Sequence, residues 1–333
     1  MTHQDIAIVR YGAASTLKLR EQPSRPPGPN EVSIDVKYSG INFADIQMRL
    51  GFYPDAPKRP FVPGYEVSGH VVSVGAGVKG LKAGDAVVAG TYFGGYASHV
   101  TIPADQVFGL PAHLDLASGA ALPVNYFTAR LALYEMARVR AGDKILIEPA
   151  TGGVGVLAIQ MAKHLGADVT GLTTTASKKP FIEALGARAY TRDEWSADRS
   201  LRNYDFILNA SGGAEIEPQR ARLGITGRMV CIGISSGVKD GRRNFARIGL
   251  AALRTPRISV LKLFDANTGI FALNALRVLQ DPTWVPRLTQ SLGEAEALGI
   301  KPHVGKVFAA KDVAAAHELL QTKGATGKVL LAW

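Results

Sequence analysis

The chain has 333 residues, 47% hydrophobic and 20% charged, which is enough for one large domain or two ordinary ones around a real core. A single cysteine, Cys231, excludes an internal disulfide and any multi-cysteine zinc site, and no apolar run reaches the ~18 residues of a membrane span. The polar start, Met1–Asp5, has no signal-peptide pattern, so the cytoplasm is the expected location; the net charge of +10 points either to an anionic partner or to a solvated basic surface.

Residues 1 to about 120 read as β-rich. In "EVSIDVKYSG", Val32, Ile34 and Val36 alternate with Ser33, Asp35 and Lys37, the period-2 pattern of a half-buried strand. "EVSGHVVSVGAGV", "GDAVVAG" and "ASHVTIPADQVF" continue as short strands broken by glycine, which suggests a small barrel. Near residue 118 the texture changes to the helical "ASGAALPVNYFTARLALYEMA". Strand, glycine turn, helix and strand follow over 143–179, then a helix ("KKPFIEALG") and two apolar runs ("YDFILNASG", "RMVCIGISSG"). Strands alternating with helices mean βαβ units and a parallel sheet. Beyond 263 a long helix is expected in "GIFALNALRVLQ".

Ala150-Thr151-Gly152-Gly153-Val154-Gly155 fits the dinucleotide fingerprint, with Ala at its first position. Gly152 lets a pyrophosphate approach the backbone, Gly155 lets helix and strand pack closely, and the helix start offers N–H groups to phosphate. An NAD site places an acid about 20 residues on. Here there is no carboxylate between Asp168 and Glu183, but Thr173, Thr174, Thr175, Ser177, Lys178 and Lys179. Hydroxyls and a cation suit the 2′-phosphate of NADPH; otherwise the lysines are the solvated start of the next helix.

Over nearly its whole length the chain resembles the medium-chain dehydrogenase/reductase superfamily, and within it the zinc-free quinone oxidoreductases, VAT-1-like branch. The matching stretches are "SGINFADIQMRLGFYP", "PFVPGYEVSGHVVSVGAGV", "LPVNYFTARLAL", "PATGGVGVLAIQMAKHLGA", "IKPHVGKVF" and "GATGKVLL". The resemblance implies an α/β chain of two domains. Residues 1–122 with 263–333 would form a GroES-like β-rich catalytic domain, and 123–262 a Rossmann NADP-binding domain with a doubly wound parallel sheet. The active site is expected in the cleft at the carboxyl ends of the parallel strands. Zinc members carry Gly-His-Glu where this chain has Gly64-Tyr65-Glu66, and the cysteine ligands are missing. Glu66 and His70 cannot complete a three-ligand site, so no metal is expected; His70 reads as a sheet or surface histidine.

Without a Lewis acid, acceptors already activated by conjugation are favoured: quinones and α,β-unsaturated carbonyls (enones). By resemblance, Asn42, Phe43, Asp45 and Thr128 line the nicotinamide side, while Tyr53 and Asn125 are candidate donors to the developing oxyanion. The ordinary readings stay open: Asn42 and Asp45 as a helix cap, Tyr53 as a packed aromatic. Gln47 stands where some quinone oxidoreductases have Tyr, so that tyrosine's role is not carried over. For the cofactor, resemblance points to Gly152, Gly153 and Val154 at the pyrophosphate and to Thr174, Ser177, Lys178 and Tyr190 at the 2′-phosphate. It points to Ile234, Phe264 and Lys328 at the nicotinamide end; Lys328 also reads as a strand-edge cation.

"GRRNFARIGLAALRTPR" places Arg243, Arg247 and Arg254 on one helical face. Such a stretch suits a membrane surface, the phosphates of a CoA- or carrier-bound enoyl substrate, or only solvent. Peripheral lipid binding, as in the VAT-1-like branch, and enoyl-thioester reduction are therefore the rival functions. No nucleic-acid module is present. A homodimer is expected through "RISVLKLF" as the edge strand of the nucleotide-binding sheet.

Overall fold

The computed structural model describes residues 2–233, 249, 253, 255–322 and 324–333. Ile234 and the arginines of the basic stretch, Arg243, Arg247 and Arg254, lie outside the described residues. The chain forms two compact units: residues 2–124 with Asp281–Trp333, and residues 125–233 with 255–280.

The first unit opens with the antiparallel pair β1 (Thr2–Ile8) and β2 (Leu17–Pro23). Next come β3 (Glu31–Ile41), α1 (Phe43–Leu50), β4 (Glu66–Val74), β5 (Ala86–Gly90), β6 (His99–Pro103), β7 (Val107–Gly109) and α2 (Leu116–Ala120). The alternation read in β3 is real: Val32, Ile34 and Val36 are at most 1% exposed and pack with Val67, Val71, Val87 and Val100. Each such side chain contributes about 1.5–3 kcal/mol by leaving water.

The second unit contains most of α3 (Pro123–Arg130), whose helix continues as one π-type turn over Leu131–Met136. It runs on through β8 (Lys144–Glu148), α4 (Gly153–His164), β9 (Asp168–Thr173), α5 (Lys179–Ala184), β10 (Arg188–Thr191), α6 (Arg192–Ala197), β11 (Tyr204–Asn209), α7 (Ile216–Arg220), β12 (Leu223–Cys231), α8 (Val260–Ala266), β13 (Gly269–Ala272) and α9 (Ala275–Leu279). Among the described residues its ladders are all parallel, in the order β10-β9-β8-β11-β12-β13. Numbered from β8, that is 3-2-1-4-5-6, the doubly wound order, and it reverses between β8 and β11. Leu146, Leu172, Ile207 and Met229 fill its core with Trp195 and Tyr204.

Two expectations fail here. The stretch "RISVLKLF" is no edge strand: its last five residues open α8, because Val260, Leu261, Leu263 and Phe264 recur at helical spacing and Asn267 ends the helix in the left-handed region (φ 49°). The "GIFALNALRVLQ" segment is not one helix. Gly269–Ala272 extends alongside β12 as the end strand of the sheet order, and only Ala275–Leu279 coils. A short apolar run reads equally as helix or strand until a neighbouring ladder claims it.

The chain returns to the first unit with α10 (Val285–Ala297), β14 (Val304–Ala309), α11 (Val313–Gln321) and β15 (Lys328–Ala332). β15 lies between β14 and β3, so the order is β14-β15-β3-β4-β5-β7, with β6 also on β3. No helix among the described residues is long and apolar enough to cross a membrane.

Candidate active site

The fold gathers the site residues of the first unit around the start of α1. Asn42 is the N-cap, and the Asp45 carboxylate accepts its backbone N–H at 2.7 Å. The cap reading thus holds for Asp45, which is fully buried and also accepts from Gly64 N (3.2 Å) and Tyr96 Oη (3.1 Å). Burial pushes its carboxyl up to about 6, against the pull of the Asn42 N–H and the Lys328 charge.

Asn42's side chain is used elsewhere. Its Oδ1 accepts from Lys328 Nζ at 2.6 Å, and its Nδ2 donates to Glu66 Oε1 at 3.1 Å. Lys328 and Glu66 form a buried ion pair, and Glu66 Oε2 accepts Val124 N–H at 2.8 Å. A cation on one side and a carboxylate on the other fix the amide's orientation. Gly40 makes room: a Cβ there would stand 2.6 Å from Glu66 Oε1. Lys328 opens an interior strand, not an edge, and is 3% exposed. The alternative reading of it as a strand-edge cation is corrected.

Phe43, first residue of α1, is half-buried. Tyr53 sits in the loop after α1, its ring 6.4 Å from that of Tyr65. The Tyr65 hydroxyl is pushed well above its ordinary range by burial, with Tyr53 adding to the shift. The Tyr65 hydroxyl is therefore protonated at neutral pH and is no base. His70 is half-buried in β4 opposite Asp35.

In the second unit the fingerprint turn joins β8 to α4, with Gly152 as the helix N-cap. A Cβ on Gly153 would stand 2.5 Å from Asn125 Nδ2, and one on Gly155 would overlap the Pro149 carbonyl. On Gly152 it would meet Pro149 only at ordinary van der Waals distance, 3.5 Å from Cγ and 3.8 Å from the carbonyl O, so that face has room. Asn125 and Thr128 are buried in α3; Val154 is half-buried. Directly after β9, Thr174 and Ser177 are exposed and Lys178 half-buried, its ammonium lowered by burial. Tyr190, half-buried on β10, pairs in register with Leu172 at the end of β9. Asp168, the nearest acid before this group, is bonded to Arg188 at 2.6 Å. Phe264 stands apart: it is 77% exposed on α8, beside Thr226 and Asn267.

Sequence reasoning missed a buried polar cluster at the switch point of this sheet. Glu148, last residue of β8, accepts from Arg192 and Gln219; Gln219 accepts from Asn209 Nδ2 at 2.7 Å, and Asn209 Oδ1 takes Gly212 N–H at 2.7 Å. Arg192 also reaches Ser211 Oγ (3.2 Å) and Glu215 (3.3 Å). These bonds tie together the turns that follow β8, β10 and β11. The only signal in the sequence was an acid, Glu148, at the end of an apolar strand.

A doubly wound sheet bearing a glycine fingerprint, joined to a β-rich unit with a buried amide–ion-pair cluster, defines a nucleotide-dependent dehydrogenase class. The alcohol dehydrogenase GroES-like domain matches residues 28–112, and the zinc-binding dehydrogenase domain matches 153–263. The chain is 30% identical to a synaptic vesicle membrane protein VAT-1 homolog of Rattus norvegicus, over 98% of this chain and 83% of that one. It is 29% identical to a quinone oxidoreductase of Sus scrofa, over 98% and 96%. A quinone oxidoreductase of Escherichia coli, solved in complex with NADPH, superimposes with a TM-score of 0.85 at 26% identity over 100% of both chains. The chain belongs to the medium-chain dehydrogenase/reductase family, with the quinone oxidoreductases and VAT-1 homologues.

Zinc, which the name of the second domain implies, does not fit. The Glu66 carboxylate already holds an ammonium, its neighbour is Tyr65, and among the described residues no three His, Cys, Asp or Glu side chains are grouped to hold a metal ion. A dinucleotide does fit: the open face at Gly152 lies at the start of a 12-residue helix.

Proposed function

We propose that this protein is an NADPH-dependent oxidoreductase that passes hydride to a quinone or an α,β-unsaturated carbonyl without a metal. The observation that carries this reading is the open Gly152 face at the head of α4, next to a strand end that offers hydroxyls and Lys178 in place of an acid. The family relatives complexed with NADPH support it.

When bound, the cofactor supplies hydride from its nicotinamide ring. The chain's own residues do the rest. The N–H groups of α4 hold the pyrophosphate, and Lys178 with Thr174, Ser177 and Tyr190 holds the 2′-phosphate. The Glu148–Arg192–Gln219 cluster keeps the surrounding turns in place. Asn42, locked by Lys328 and Glu66, orients the reacting groups from a fixed position. Tyr53 and Asn125 serve as hydrogen-bond donors to the developing oxyanion. A conjugated acceptor needs no more polarisation than such donors provide, in keeping with Glu66 being committed to Lys328.

The test is titration of the purified protein with NADPH and with NADH, followed by NADPH consumption with a 1,4-quinone and with an enone. Tighter NADPH binding with turnover of either acceptor supports the reading. Binding of neither cofactor overturns it and favours a second one, peripheral lipid binding, which draws on the VAT-1 relatives and on the exposed Val260, Leu261 and Phe264 of α8. Co-sedimentation with anionic liposomes then decides that alternative.

A further inference from the structure

We propose that Tyr96 and His317 are positioning residues: a one-way donor chain, His317 Nε2–H to Tyr96 Oη–H to Asp45 Oδ2, that holds the Asp45 carboxylate against the Asn42 N–H. The inference rests on the reading of Asn42 as a site residue.

All three side chains are essentially fully buried, on three separate parts of the first unit: Asp45 on α1, Tyr96 before β6 and His317 on α11. Tyr96 Oη stands 3.1 Å from Asp45 Oδ2 and 3.1 Å from His317 Nε2. A phenol has one proton, so it donates to only one of them. Asp45 already takes two backbone N–H groups, at 2.7 and 3.2 Å, which can only donate. Its oxygens are therefore acceptors. If Tyr96 gave its proton to His317, two buried oxygens would face each other at 3.1 Å with no proton between them. The Tyr96 proton thus belongs to Asp45, and His317 must supply the next one from Nε2. The other ring nitrogen agrees: Nδ1 is buried with no hydrogen-bond partner, the place for a bare lone pair and not for an N–H.

The surrounding charges are consistent with this direction. Lys328 on β15 draws Asp45 toward its ionised form; Tyr65 also faces Asp45, and Glu66 on β4 faces Tyr96. Arg49, one turn after Asp45 on α1, faces both Tyr96 and His317. Burial and the Arg49 charge push His317 down to about 3, so it is neutral at any ordinary pH, with one N–H to give. A second rung backs the first. Arg49 Nη2 donates to Gln321 Oε1 at 2.7 Å, so α1 and α11 are tied directly by this pair and, four residues earlier on each helix, through Tyr96 between Asp45 and His317. Protonating Asp45 reverses the chain: Tyr96 turns to His317 Nε2, and the imidazole proton is forced onto Nδ1, which has no acceptor.

The experiment has two arms. In ¹⁵N-histidine-labelled wild type at pH 7.5, the His317 ring is expected as a single tautomer protonated at Nε2, and Tyr96→Phe is expected to change its ring shifts. A His317 ring protonated at Nδ1 overturns the chain. In the kinetic arm, kcat/KM for NADPH with a 1,4-quinone is followed from pH 5 to 8. Loss of the Tyr96 donor makes Asp45 harder to ionise, so Tyr96→Phe should move the acidic limb up by about one pH unit. His317→Gln, which keeps an N–H near Nε2, should leave it in place, and His317→Leu should move it. An unmoved limb in Tyr96→Phe overturns the positioning role. Should the wild type turn over no acceptor, the functional reading fails, and the NMR arm alone decides the chain.

Discussion

Lys328 Nζ donates to Asn42 Oδ1 at 2.6 Å, across 286 residues of sequence. That bond joins the first residue of β15 to the residue that begins α1, and both hold on to Glu66 of β4. Two strands and a helix start are thereby pinned to one buried point. Removing either charge leaves the other unpaired in the interior, which costs about 3–5 kcal/mol. Lys328→Met and Glu66→Gln are each expected to lower the urea-unfolding free energy by that amount. The Glu66→Gln/Lys328→Met double variant should lose clearly less than the sum. Additive losses would mean the pair is not coupled.

Lys178 is the first cation in the sequence after β9. Lys178→Glu is expected to weaken NADPH binding at least tenfold, roughly one charge-assisted bond lost and a repulsion added, while NADH affinity changes by less than about threefold. Cofactor fluorescence titration reads both. Equal losses for the two cofactors would remove the 2′-phosphate assignment.

The three glycines of the fingerprint separate folding from binding. Gly155→Ala drives a methyl into the Pro149 carbonyl, which is backbone and cannot swing away, so a loss of about 1–3 kcal/mol of stability is expected. Gly152→Ala meets Pro149 only at ordinary van der Waals distance and should leave the melting temperature nearly unchanged. Its methyl occupies the face offered to pyrophosphate, so NADPH affinity should still fall at least tenfold. Unchanged affinity in Gly152→Ala would place the phosphates elsewhere.

His317 and Asp45 make opposing contributions to stability against pH. His317 titrates near 6.5 when unfolded and near 3 when folded, so between those values the unfolded chain binds more protons and stability rises with pH. Asp45 moves from 3.8 up to about 6, so between those values the folded chain binds more protons and stability falls with pH. From about pH 4 to 6 the two slopes nearly cancel. His317→Gln should uncover the Asp45 slope: relative to wild type, the variant loses about 1.4 kcal/mol per pH unit as pH rises through that window. Urea unfolding at half-unit pH steps measures it; parallel curves for the two proteins would exclude the linkage.

Chelation tests the donor set. With Glu66 held by Lys328, incubation with a zinc chelator is expected to leave quinone turnover and the melting temperature within error of the untreated protein. Activity lost on chelation and restored by Zn²⁺ would sink the metal-free proposal.

Local pattern along the chain was enough for the elements that depend on near neighbours. Alternation marked β3, and the strand–glycine–helix–strand grammar of 143–179 marked the start of a parallel sheet, because period and turn chemistry are set by neighbours in the chain. Family motifs marked Asn42, Asp45 and Lys328, but left each open between a cap, an edge cation and a site residue. Those alternatives were resolved by contacts between distant segments: Lys328 found Glu66, and Asp45 found Tyr96. Phe264, placed by resemblance at the nicotinamide end, stands exposed on α8, and the strand expected around it is a helix. Short apolar runs carry too few residues to fix their own state, so the pairing of β13 on β12 settled which stretch became the strand. The Glu148–Arg192–Gln219 cluster and the chain through His317 were invisible beforehand, since a buried polar group is specified by partners that no sequence spacing reveals.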